Sequence, residues 1–142
     1  MKKLFEVARQ EGLAIEENAP LPEGFYGLYY SEENYNPVAI LSKEIFGKRR
    51  LERVVLAEEI GHHLTTTCHC LPCYFEDYSH RLTISRQEYR ALRKGAQILI
   101  SPEEILDAIS HGIEEPADLA DYFEVTETFI LLRLKVWEIS GK

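Results

Sequence analysis

Apolar positions recur with helical spacing along most of the chain and cluster as strands in one stretch near the start. Leu4, Phe5 and Ala8 share one face of a predicted helix over 2–11, and Gly12 stands where a left-handed C-terminal cap belongs. The breaker run from Asn18 to Gly24 precedes Phe25 to Tyr30, an aromatic stretch that reads as a strand. Polar turn chemistry over 32–37 joins it to a second strand, Val38 to Leu41, so a hairpin is expected. A long helix follows over 49–66, with Leu56, Ile60 and Leu64 on one side and Glu58, Glu59 and His62 on another. Residues 67–84 read as a loop containing three cysteines, Pro72 and two histidines. Ser85 opens a helix running to about Leu99, and Ser101-Pro102-Glu103-Glu104 carries the cap, the N1 proline and the capping-box glutamate of another. Two shorter helices are predicted over 116–123 and 127–139, in which Phe129, Leu131, Leu134 and Trp137 are candidate core. Helix, hairpin, then helices in that order predict an α+β fold: a domain over 1–100 with a small antiparallel sheet, and a helical C-terminal extension over 101–142 packed on it.

Composition narrows the function. Of 142 residues, 45% are hydrophobic and 28% charged, the balance of a soluble globular chain. No apolar run approaches the roughly 18 residues that span a bilayer, and the basic start lacks an apolar signal core, so a cytoplasmic protein with no membrane partner is expected. The net charge is −8, and residues 101–142 alone contribute 3 basic and 10 acidic side chains. Phosphate-tracking surfaces need Lys and Arg, so direct nucleic-acid binding through this tail is disfavoured, although 118–134 has the outline of a helix-turn-helix.

The chemistry concentrates in Leu56-Ala57-Glu58-Glu59-Ile60-Gly61-His62-His63. On a helix, Glu58 and His62 lie one turn apart and about 40° from each other around the axis, so both can reach one metal ion. Glu59 and His63 form a second pair at the same spacing, and spacing does not choose between them. A solvated helix face is the plainer reading of the same residues. The layout parallels the H-E-x-x-H helix of zinc proteases, with Glu58 at the first histidine's place, giving E-E-x-x-H. On the next helix Arg86, Arg90, Arg93 and Lys94 share one face, and Glu88 lies on the other with Ala91, Leu92, Gly95 and Leu99. A carboxylate directed at a core needs a partner or a metal, yet Glu88 also completes a capping box with Ser85. Cys68-His69-Cys70-Leu71-Pro72-Cys73 has one C-x-x-C but no second knuckle, so it reads as an ordinary loop before a structural metal or redox site.

Residues 38–66, Gln87 to Arg93, Ser101 to Leu106 and Pro116 to Thr126 together resemble the ImmA/IrrE family of metallo-endopeptidases, in its prophage and integrative-element branch. The resemblance implies a zincin-like fold, with Glu58, His62 and Glu88 as metal ligands and Glu59 as the general base. It implies zinc as cofactor and, as substrate, a helix-turn-helix repressor of the mobile element. The chain departs from the family pattern at Glu58 and at Leu92, where an asparagine is common. Two carboxylate ligands neutralise a divalent ion more fully than one, which lowers its Lewis acidity and suits manganese or iron. Val38 to Leu41 is expected to offer an edge for an extended substrate. Two other readings stand beside the peptidase: a non-catalytic binding partner of such a regulator, and a metal-dependent regulator that binds DNA through its tail.

Overall fold

One helix runs through the interior and everything else is arranged around it. The computed structural model describes residues 1–65, 70–74 and 86–142, with only the backbone described at 70–74 and at 87. Helix α2, Arg49–Thr65, packs on one side against a sheet and on the other against α3, Arg86–Leu99. Every residue of α2 from Val54 to His62 is buried. The expected division into an apolar face and a wet face therefore fails. The side bearing Glu58, Glu59 and His62 is as enclosed as the side bearing Leu56 and Ile60.

The sheet has four strands: β1, Ala14–Ala19; β2, Phe25–Tyr30; β3, Val38–Ser42; and β4, Cys70–Tyr74, in the order β1-β3-β2-β4. The expected hairpin is present as the antiparallel pair β2 and β3, with Leu28 opposite Ile40. β4 also pairs antiparallel with β2, whereas β1 pairs parallel with β3, so the sheet is mixed. Neither outer strand announces itself in the sequence. β1 carries Glu16, Glu17 and Asn18 and is mostly exposed, so it lacks the apolar alternation that marks a half-buried strand. β4 falls inside the expected loop and contains Pro72, which an edge strand tolerates because only one of its sides must supply a complete ladder. Because β3 lies between β1 and β2, Val38 to Leu41 is not an edge; the outer strands are β1 and β4.

Helix α1, Lys2–Gln10, buries Leu4 and Ala8 and ends as expected, with Gly12 at φ +70° and the Leu13 amide returned to the Ala8 carbonyl at 2.8 Å. Three further helices complete the chain: α4, Pro102–Ser110; α5, Pro116–Phe123; and α6, Glu127–Ser140. The capping box at α4 is complete, the Ser101 amide donating to Glu104 at 2.7 Å and the Glu104 amide to the Ser101 hydroxyl at 3.2 Å. Lys3 reaches the same carboxylate at 3.0 Å, which ties α1 to α4. In α6 Phe129 is buried, and Leu134 and Trp137 pack against the core, whereas Leu131 is 52% exposed and corrects the expectation for that position. The buried polar anchor of α6 is Arg133, whose Nε donates to the Ile100 carbonyl at 2.8 Å and Nη1 to that of Lys142 at 2.9 Å. Burial draws its guanidinium below the usual range, partly offset by Glu103 and Glu104. Among the described residues no helix is long and apolar enough to cross a membrane.

Where α2 and α3 cross, both helices present glycine. A Cβ on Gly61 would lie 2.0 Å from the Ala91 carbonyl oxygen, and one on Gly95 would lie 2.2 Å from that of Ala57. Alanine ordinarily gains about 1 kcal/mol over glycine inside a helix. Here the obstructing atoms are backbone, so overpacking outweighs that gain. Gly61→Ala is expected to cost on the order of 1–3 kcal/mol net in urea unfolding, the range of overpacked cores.

The Glu104 cap gives a pH dependence. Burial pushes its carboxyl up, but the Ser101 amide and Lys3 outweigh this and hold it below the ordinary value. A carboxylate favoured in the folded state adds stability above its unfolded pKa and loses that contribution as pH falls through the lower, folded value. Thermal melts should therefore show wild type more stable than Glu104→Gln at pH 7, with the gap narrowing as pH falls below the ordinary carboxylate range.

Candidate functional site

The crossing of α2 and α3 brings three donor side chains together. Glu58 and His62, one turn apart on α2, face Glu88 from the first turn of α3, and one ligand atom from each lies within 4.8 Å of the other two. His62 Nε2 stands 3.7 Å from Glu88 Oε2. Two ligands bound to a tetrahedral ion at bond lengths near 2.1 Å sit about 3.4 Å apart, close to the separation of this pair. His62 is fully buried and Glu58 is 4% exposed, while Glu88 keeps a quarter of its side chain open to solvent. An imidazole and two carboxylates in this arrangement fit a divalent cation, and burying carboxylates is costly without such compensation.

The structure also separates the two pairs that spacing left open. His63 points away from the cluster. Its Nε2 lies 2.9 Å from the Glu11 carbonyl, which can only accept, so that nitrogen carries the proton. Nδ1 is then the acceptor for the Tyr29 hydroxyl at 3.1 Å. His63 thus pins the end of α2 to β2 and to the turn after α1. Glu59 is fully buried and faces the sheet from α2.

The basic residues of α3 occupy its outer face as expected, and Arg90, Arg93 and Lys94 line an open cavity of about 280 Å³ with Thr65, Gln97 and Lys142. Leu92, at the position of the family's asparagine, is buried. The proposed capping role of Ser85 lies outside the described residues, as do Cys68, His69 and the side chains of Cys70 and Cys73. Three contributors to the site escaped sequence reasoning: the Tyr29 to His63 bond, the sheet-side burial of Glu59, and the strand character of Cys70–Tyr74. The first two need the packing of β2 on α2, which no periodicity reveals.

An α+β, zincin-like domain with an acidic and histidine donor set at a helix crossing defines the metallopeptidase class. The chain belongs to the peptidase M78 family, that of ImmA and IrrE: the family's IrrE N-terminal-like domain matches residues 26–135. No curated protein matches the chain closely enough to count as a relative.

Proposed function

We propose that the chain is a metal-dependent endopeptidase whose ion is held by Glu58, His62 and Glu88. The convergence of these three groups across α2 and α3 is the observation that supports it. A divalent ion there supplies Lewis acidity and lowers the pKa of a water. Glu59 then takes a proton from the attacking water as its oxygen adds to the scissile carbonyl, and returns a proton to the amide nitrogen as the C–N bond breaks. β4, an outer strand antiparallel to β2, takes the place first assigned to Val38–Leu41 as the strand along which an extended substrate pairs.

The cofactor in this reading is Zn²⁺, with Mn²⁺ or Fe²⁺ favoured to the extent that the second carboxylate hardens the donor set. The substrate is a helix-turn-helix repressor of a mobile genetic element, met in the cytoplasm. An acidic C-terminal region suits such a partner, because repressors are basic where they grip DNA. The same acidity opposes duplex binding by the α5 and α6 segment, and the burial of Phe129, Ile130 and Val136 gives that pair a packing role. Glu58 also favours a second reading. If its charge lowers Lewis acidity below what hydrolysis requires, the chain is a non-catalytic partner of the same regulator.

Purified without chelator, the protein should carry one divalent ion per chain, and His62→Ala should remove it. Glu59→Gln should keep metal and fold while lowering repressor cleavage by roughly 10² to 10⁴. Metal-loaded protein that binds the repressor without cutting it would establish the non-catalytic reading. Association with the repressor should weaken as salt rises, and the isolated chain should leave duplex DNA unretarded at moderate salt. Tight duplex binding by the chain alone would instead make it a DNA-binding regulator.

A further inference from the structure

Glycine in a strand interior weakens the strand, and Gly27 sits in the middle of β2 with strand partners on both sides, Leu41 and Cys73. Its backbone is not in the positive-φ region, so the conformation does not demand glycine. Space does. A Cβ at position 27 would lie 2.7 Å from Glu59 Oε1, 3.3 Å from Glu59 Cδ and 2.6 Å from Val55 Cγ1.

The register of β2 on α2 accounts for the contact. Two residues along a strand advance about 6.7 Å and four along a helix about 6.0 Å, so the two elements can stay in step. Tyr29 is hydrogen-bonded to His63, and two residues earlier Gly27 meets Glu59, four residues earlier on the helix. Val55, one further turn back, closes the same face.

We propose that Gly27 is a positioning residue for Glu59: its missing side chain is the space in which the Glu59 carboxylate lies between sheet and helix. The assignment of a reaction to Glu59 rests on the peptidase reading above, whereas the contact does not. Oε1 is the far end of a flexible side chain, so Gly27→Ala moves the carboxylate before it disrupts the backbone.

The test is a double-mutant cycle on the full chain, read as the urea unfolding equilibrium. Gly27→Ala should lower the folding constant at least roughly tenfold in wild type. The loss should be similar in Glu59→Gln, which fills the same volume. In Glu59→Ala it should be at least about threefold smaller than in wild type, because the added methyl then has room on that side and only the contact with Val55 Cγ1 remains. Equal losses in all three backgrounds overturn the proposal. So does relief in Val55→Ala without relief in Glu59→Ala, since the strain would then fall on Val55. If Gly27→Ala does not fold, the cycle is run in the Val55→Ala background, where the same dependence on Glu59 is expected and its absence is decisive against it. In a crystal structure of Gly27→Ala the Glu59 carboxylate should shift by roughly 1 Å, enough to restore van der Waals separation, and an unmoved carboxylate overturns the proposal. Titration with Co²⁺ should find one ion on Gly27→Ala as on wild type. Loss of Co²⁺ from that variant alone would place its effect on the ligands rather than on Glu59. Wild type that takes up no Co²⁺ counts against the peptidase reading, while the cycle still decides the role of Gly27.

Discussion

The contact between the backbones of α2 and α3 is the constraint on which the rest depends. Gly61 meets the Ala91 carbonyl and Gly95 meets that of Ala57, so each helix supplies the gap the other fills. Side chains at either position would hold the axes apart, and Glu88 would be withdrawn from Glu58 and His62. The site is therefore a property of a helix pair, not of a motif. The E-E-x-x-H segment supplies two of the candidate donors, and the third reaches them only because two glycines lie at the crossing.

Much of this was legible in the residues. The helices, their caps at Gly12 and Ser101, and the β2–β3 hairpin follow from local chemistry, because each depends on contacts within a few residues. Gly95 and Glu88 on the inner face of α3 could be read from spacing, since an amphipathic helix declares which face is buried. What could not be read depended on partners distant in the chain. β1 is polar because it is an exposed outer strand, and its pairing with β3 is set by backbone rather than by side-chain pattern. Arg133 stands in the interior because the carbonyls of Ile100 and Lys142 receive it, and a lone arginine in a helix otherwise signals solvent. The choice between the Glu58–His62 and Glu59–His63 pairs is of the same kind. It turns on Tyr29 and the Glu11 carbonyl, which lie in other elements.

The burial of α2 explains why one short segment performs two tasks. Enclosed from Val54 to His62, the helix has no wet face there on which to place charge, so the polar groups from Glu58 to His63 have to be met by neighbouring elements. α3 meets Glu58 and His62 through Glu88, and β2 meets Glu59 at Gly27 and His63 at Tyr29. Sheet and helix thus divide the segment between them, the side toward α3 holding the candidate metal donors and the side toward β2 holding Glu59.

Glu58 changes the balance within that division. With histidine at the first position, the enclosed segment would carry one fewer negative charge and the ion would retain more of its own. With Glu58, the carboxylates of Glu58 and Glu88 converge with the His62 imidazole, and a divalent cation there would offset their charge. The substitution therefore strengthens the electrostatic case for holding a metal while weakening the metal's power to polarise a substrate. Affinity and reactivity move in opposite directions at this one position, so metal occupancy by itself is not evidence of turnover in this chain.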